Sequence, residues 1–330
     1  MNIQKKPFSK DILLFDNVED VVNEITCKLR ADVLKNLRRK GAVIGVSGGI
    51  DSSVCMALAV KALGPELVLA VMIPEKDSNP ESEHLAQILA DKFGVKTIKE
   101  VITPALSGFK CYERRDEAVK RIYPEYNPQT HKMKIGIRQS GLYTSLPPLF
   151  SLTIVDKAGQ KEQLLPVDEY LKIVAASNFK QRARMSILYY HAESLHYAVV
   201  GTPNKHEQEQ GFFVKYGDGG ADMMPIGNLY KTQVYQLAKY LGIPEDIIKR
   251  TPTTDTYPAE QTQEEFFYQL PFNLMDLFWY GFENGYSARE VADVMGETED
   301  RVNSLFNNFQ RKKNTTEYLR MPPVRDYYAG

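Results

Sequence analysis

Cysteine is scarce in this sequence: Cys27, Cys55 and Cys111 are the three among 330 residues. Widely spaced and odd in number, they make neither a disulfide framework nor a paired-cysteine metal cluster, and a reducing compartment is the simplest setting for them. Long apolar runs are missing too. Near the N-terminus only Ile12-Leu13-Leu14-Phe15 is apolar before the acids Asp16, Glu19 and Asp20. That is too short for a signal peptide, and no stretch approaches the roughly 18 residues of a membrane span. A soluble, cytoplasmic protein with no membrane contact is expected. Neither sign of charge dominates, since 41 Lys plus Arg face 42 Asp plus Glu for a net charge of -1. Bulk nucleic-acid binding needs a basic excess to displace counterions, so nucleic acid is not an expected partner. The five histidines (His84, His131, His191, His196, His206) have no HxxxH or HExxH spacing, and no zinc site is expected.

What is present is 43% hydrophobic and 25% charged residues, the composition of a globular chain with a sizeable core. Val21, Val22, Ile25, Leu29, Val33, Leu34 and Leu37 recur at helical spacing between Val18 and Arg39. Ala42-Val43-Ile44-Gly45-Val46 reads as a short strand buried on both faces. A helix over Val54 to Val60, a strand over Leu67 to Ile73, a helix over Ser82 to Phe93 and a strand over Val95 to Ile102 follow. Strand and helix alternate at short intervals, which predicts βαβ units on a parallel sheet.

That rhythm breaks at about residues 107–170, which read as an insertion rich in Arg, Lys and Tyr. Within it Lys132–Ile137 and Phe150–Val155 alternate as strands of a small antiparallel ribbon, with a turn at Asp156-Lys157-Ala158-Gly159. Helical pattern resumes near Val167 and continues to Tyr197. His196 to Val200 is a fourth strand, and Tyr230 to Leu241 another helix. The expected fold is α/β: one domain over 1–330 with a doubly wound parallel sheet, the inserted β-ribbon-like element, and a helical C-terminal region over about 258–330.

The sharpest chemical signal is Val43-Ile44-Gly45-Val46-Ser47-Gly48-Gly49-Ile50-Asp51-Ser52-Ser53. A buried strand runs into a Ser-Gly-Gly turn and a helix begins at once. Two glycines let backbone N–H groups converge on an anion, and the helix N-terminus adds unpaired donors and positive dipole. Asp51 beside a phosphate would repel it unless a cation lay between, so phosphate with Mg²⁺ explains the set better than phosphate alone. A plain helix cap would need none of this combination. The lysine of a Walker loop is absent.

This strand–SGGxDS–helix unit resembles the ATP pyrophosphatases, of the adenine nucleotide alpha hydrolase-like fold. Further blocks resemble the ammonia-dependent NAD synthetases among them: Phe179 to Met185 (NxKARxRM), Gly201 to Glu207 (GTxNKxE), Gly211 to Asp222 (GYFTKYGDGGAD) and Pro225 to Val234 (PIGDLYKTQV). The resemblance covers roughly 18–104 and 175–255. It implies an AMP-forming ligase that adenylates the carboxylate of deamido-NAD, releases pyrophosphate and transfers ammonia to give NAD. ATP is then a co-substrate and Mg²⁺ the cofactor. It further implies that Gly45, Val46, Ser47, Gly48, Gly49, Ile50, Asp51, Ser52, Thr202, Lys231 and Thr253 bind ATP. Arg182, Lys215 and Asp222 would bind the second substrate, Asp51 and Glu207 the metal, with Asp51 and Lys231 catalytic. A homodimer is implied, and the lack of room for a glutaminase domain points to free ammonia or a separate ammonia-supplying glutaminase.

Three departures from the family pattern fall on the side of the second substrate: the 107–170 segment, the loss of LG after Gln261-Thr262-Gln263-Glu264-Glu265, and Tyr318-Leu319 where the family has His-Lys before Arg320. They keep open a different carboxylic acid amidated by the same chemistry. A tRNA-modifying ATP pyrophosphatase is a weaker alternative, given the charge and the scattered cysteines. A non-enzymatic homologue is disfavoured by the presence of Asp51, Glu207 and Lys231 together.

Overall fold

Asn17 accepts a hydrogen bond from the Glu19 amide and starts α1 (Val18–Ala31), the first helix of a computed structural model that describes residues 5–137, 149–253 and 256–325. The helical spacing that reaches Arg39 does not give one straight helix. After Ala31 the chain widens into a π-helical turn, Asp32–Asn36, which takes Val33 fully into the core and leaves Leu34 and Leu37 exposed.

Then come β1 (Ala42–Gly45), α2 (Ile50–Leu63), β2 (Val68–Met72), α3 (Pro80–Phe93) and β3 (Lys96–Lys99). The third strand is shorter than its apolar alternation predicts, although Glu100 and Ile102 still donate to Met72 O and Pro74 O beyond it. Next are α4 (Thr103–Gly108), α5 (Cys111–Ile122), β4 (Lys132–Ile137), β5 (Phe150–Asp156), β6 (Gly159–Leu164) and α6 (Val167–Leu195). The chain continues through β7 (Ala198–Val200), α7 (Lys205–Gln210), α8 (Lys231–Tyr240), α9 (Glu245–Lys249), α10 (Phe272–Glu283), α11 (Ala288–Met295) and α12 (Glu299–Arg320).

Among the described residues the main sheet has the order β3-β2-β1-β7, every pair parallel. Successive side chains of a strand face opposite ways, and that period divides the core. Ala42, Ile44, Val68, Ala70 and Met72 pack toward α1, α2, α3 and α8, whereas Val43, Leu69 and Val71 pack toward α4, α5 and α6. Both faces are covered, as a parallel sheet requires. Strand order reverses between β1 and β7, and ligands of open α/β sheets bind at such a point, beyond the C-terminal ends of the strands.

The ribbon is a three-stranded antiparallel sheet, β4-β5-β6. Asp156 Oδ1 accepts from the amides of Ala158 and Gly159, closing the expected turn, but the turn leads into a further strand. Every residue of β6 is exposed, so its sequence carries no apolar alternation from which a strand is read. Met133, Ile135, Leu152 and Ile154 bury the other face on Ala118, Val119 and Tyr123 of α5's side and Ile173 of α6. A separate aromatic core of Tyr268, Phe278, Trp279 and Phe309 holds α10 and α12 together and takes in Phe8 and Leu13.

Candidate active site

Past β1, the Val46 amide still bonds Val71 O at 3.0 Å before the chain turns through Ser47-Gly48-Gly49 into α2. Gly48 has φ +67°, and a Cβ there would stand 2.6 Å from Ser82 O and 2.9 Å from Leu85 Cβ. Only glycine lets α3 press so closely on the loop. Gly49 caps α2 without a side chain, which leaves the first amides of the helix for a ligand. The hydroxyls of Ser47 and Ser52 stand 3.2 Å apart, while Ser53 turns back to Gly49 O at 2.7 Å and is fully buried.

Asp51 reaches from the first turn of α2 toward the elements that follow β7. Its Oδ2 accepts from Lys231 Nζ and its Oδ1 from Asn204 Nδ2 at 3.4 Å. Lys231 opens α8 and is wholly buried, so it is not a helix-start lysine facing water. Burial by itself would pull its ammonium down, but the charges of Asp51 and Glu207 outweigh burial and hold it above the ordinary lysine value.

Glu207 is fixed by local chemistry. Asn204 caps α7, accepting from His206 N and Glu207 N, and its own amide donates to Glu207 Oε2 at 2.9 Å, a reciprocal capping box. The Glu207 carboxyl is pushed up to about 8, by burial first and by the charge of Asp51 second. At neutral pH Glu207 therefore keeps its proton beside the balanced Asp51–Lys231 pair, and a cation entering between the two carboxyls would release it. An all-oxygen donor set of this kind fits a hard divalent cation shared with phosphate oxygens.

These groups border two cavities. One of about 140 Å³ is lined by Ser47, Gly49, Ile50, Asp51, Ser52, Thr202, Glu207, Arg250, Thr253 and Gln263 among others. A second, of about 920 Å³, shares Ser47, Ser52, Thr202, Glu207, Thr253 and Gln263 with it and also takes in Gly45, Val46, Arg182, Arg184, Lys215 and Asp218. Gly48 and Lys231 line neither cavity, one behind the loop and the other beneath Asp51. Arg182 Nε donates to Lys215 O at 3.2 Å, and Lys215 Nζ donates to Tyr318 O and Met321 O at 2.8 and 2.9 Å. Tyr318 and Leu319, which replace the His-Lys pair, therefore stand at the larger cavity beside Lys215.

Asp222 is the exception among the expected substrate residues. Its carboxylate accepts from Val199 N at 2.8 Å and Tyr189 OH at 3.0 Å, tying β7 to α6, and it lines neither cavity. In the Gly-rich loop before it, a Cβ on Gly219 would lie 2.2 Å from the Phe213 ring. Asp218 accepts from Val214 N at 2.7 Å, and burial pushes its carboxyl up to about 6.

Sequence reasoning passed over two supports. His206 and Asp276 are both fully buried, with His206 Nε2 2.5 Å from Asp276 Oδ1. Asp276 Oδ2 accepts from Thr232 N at 2.6 Å and Gln210 Nε2 reaches His206 Nδ1 at 3.1 Å. The pair thus joins α7, carrying Glu207, to the start of α8, carrying Lys231. On the other wall Lys180 Nζ lies 2.8 Å from both Glu75 and Asp77, and Arg115 lies 2.6 Å from Asp77. Burial would raise the Asp77 carboxyl, but Lys180 and Arg115 outweigh it and hold it low. The Asp276, Lys180 and Arg115–Asp77 contacts join residues far apart in the chain, so no local sequence pattern marks them.

A family model described as NAD synthase matches residues 21–140 and 152–322. The NH(3)-dependent NAD(+) synthetase of Rhizobium meliloti (strain 1021) is 46% identical over 318 residues, 96% of this chain and 94% of its own length. The structure of NH3-dependent NAD synthetase from Campylobacter jejuni, in complex with the nitrate ion, superposes with a TM-score of 0.60 at 22% identity, covering 94% of this chain and 100% of its own. NMN synthetase from Francisella tularensis gives 0.63 at 22% identity, over 95% of this chain and 100% of its own. At that identity the two structures speak to fold alone.

Proposed function

The chain belongs to the NAD synthase family, and from that premise we propose how its own residues carry out the ATP-dependent amidation of deamido-NAD to NAD. It is a ligase, and the name of its 46% identical relative gives ammonia as the nitrogen source. A carboxylate oxygen of deamido-NAD attacks the α-phosphorus of ATP. The new O–P bond forms as the bond to the bridging oxygen breaks, and pyrophosphate leaves with that electron pair. Ammonia then attacks the acyl carbon, the C–O bond to AMP breaks with its electron pair leaving on AMP, and the nitrogen gives up one proton to solvent as the amide forms.

The residues divide this work by position. The smaller cavity, between the Ser47–Ser52 loop and Thr253, takes the phosphates, held by the first amides of α2 and the hydroxyls of Ser47, Ser52, Thr202 and Thr253. Asp51 and Glu207 would hold Mg²⁺, which lends positive charge to the phosphates when bound. Lys231, buried beneath Asp51 and lining neither cavity, acts through Asp51, holding that carboxylate in place for the cation. The larger cavity takes the nucleosides and the acid, with Gly45 and Val46 on one wall and Arg182 and Lys215 on another. Asp222 acts from behind, holding β7 to α6. Positioning and charge stabilisation account for the chemistry, with no covalent enzyme intermediate.

The observation behind this reading is that Asp51 and Glu207, remote in sequence, line one cavity beyond β1 and β7 with Lys231 buried beneath Asp51. The near-full-length relative favours deamido-NAD over another acid. No helix among the described residues is long and apolar enough to cross a membrane; a cytoplasmic homodimer fed by free ammonia or by a separate glutaminase completes the proposal. NAD formation from ATP, Mg²⁺ and ammonium, assayed with deamido-NAD and with nicotinate mononucleotide, tests the acid. Preference for deamido-NAD is expected, and turnover of the mononucleotide alone would reject it.

A further inference from the structure

Lys231 is sealed beneath Asp51, so the smaller cavity needs a cation at its surface, and the structure offers one that the sequence blocks do not mark. Arg250 caps the C-terminal end of α9 and lines that cavity together with Ser47, Gly49, Asp51, Ser52 and Thr253. Its Nη2 donates to Ser82 Oγ at 2.9 Å and its Nη1 reaches Gly48 O at 3.5 Å. Both acceptors are neutral oxygens, so these bonds do not consume its charge as Asp51 consumes that of Lys231. A guanidinium carries five N–H donors in a planar fork, and these two bonds use two of them. The segment that bears it is braced: Gln263 N donates to Pro252 O at 3.0 Å, and Thr253 bridges to Thr262.

We propose that Arg250 is the cation that grips the β- and γ-phosphates of ATP and the pyrophosphate that leaves, a catalytic residue beyond Asp51, Glu207 and Lys231. The inference rests on the adenylation reading above. Arginine suits the role because its fork meets two phosphate oxygens at once, which an ammonium does not. Through Ser82 and Gly48 the same side chain spans the N-terminal turn of α3 and the phosphate loop, so it is held in place before ATP arrives.

The test measures binding of inorganic pyrophosphate and of AMP, each with Mg²⁺, by titration calorimetry on the whole protein. Arg250→Gln is expected to weaken pyrophosphate binding by roughly 10- to 100-fold, leaving AMP within about 2-fold because AMP lacks those phosphates. Arg250→Lys, which keeps charge without the fork, is expected to recover part of the loss. Equal loss of both ligands would mean that Arg250 only shapes the loop, and an unchanged pyrophosphate affinity would remove it from the site. Either result overturns the proposal. NAD formation by the unaltered protein separates the two readings. Full activity with no Arg250 effect sinks only this inference, whereas Arg250-dependent pyrophosphate binding without NAD formation sinks only the function.

Discussion

Lys231 is fully buried with its ammonium on the Asp51 carboxylate, although the two residues lie 180 positions apart in the chain. Asp51 stands at the N-terminus of α2 and Lys231 at the N-terminus of α8, so two positive helix ends converge on one carboxylate. Glu207 alongside, its carboxyl pushed up to about 8, is neutral at pH 7 until a cation enters.

Lys231→Met should leave Asp51 without its partner charge. Removing one partner of a buried pair costs about 3 kcal/mol or more, so denaturant unfolding without metal should show a loss of that order. Mg²⁺ should restore part of it by taking the place of the lost charge, and kcat should fall at least about 100-fold. A variant of full stability whose unfolding ignores Mg²⁺ would contradict the arrangement.

The two loop glycines should differ. Gly48→Ala places a Cβ 2.6 Å from a backbone oxygen at positive φ, a strain of about 1–3 kcal/mol, and should raise KM for ATP sharply. Gly49→Ala meets only Ser47 Oγ at 3.3 Å, so its stability should stay within about 1 kcal/mol. Thermal unfolding and ATP kinetics on both variants check the contrast.

Asp276→Ala strands His206 Nε2 and the Thr232 amide in a fully buried place. A cost of about 3 kcal/mol follows, and because α7 and α8 lose their tie, kcat should drop about 10-fold. Asp276→Asn keeps an acceptor for the Thr232 amide and should lose less of both. Equal behaviour of the two variants would count against a positioning role.

Lys312 gives the protein a pH dependence on the alkaline side. Burial first, and the charge of Arg311 second, push its ammonium down to about 8 from 10.5. Its Nζ lies 4.5 Å from the Phe267 ring centroid and donates to Phe267 O at 3.2 Å. Between those pH values the unfolded chain holds more protons than the folded one, so this group's contribution to stability rises with pH through the window and is a constant penalty below it. Lys312→Met should be more stable at pH 7 by about 1 kcal/mol and should lose that alkaline gain. Parallel pH profiles for the two proteins would disprove it.

Local patterns made much of this molecule legible. The apolar run Ala42 to Val46 and the Gly-rich turn after it specify a strand, a loop and a helix start with no help from distant residues. Asn204 and Glu207 likewise write their own capping box. Arg250, Asp276 and the buried state of Lys231 were not legible, because each depends on partners brought from elsewhere by the sheet and the C-terminal helices. Asp222 lies in a motif that resembles a ligand-binding block, and its carboxylate accepts from Val199 N and Tyr189 OH, contacts no local pattern marks. β6 escaped notice because an exposed edge strand needs no apolar face.

Adenylation at the Asp51–Glu207–Lys231 centre is tested most directly by exchange of labelled pyrophosphate into ATP, with Mg²⁺ and deamido-NAD present and ammonia left out. Exchange that requires deamido-NAD and is lost in Asp51→Asn is expected. Exchange without the acid, or none from a protein that still makes NAD once ammonium is added, would contradict it.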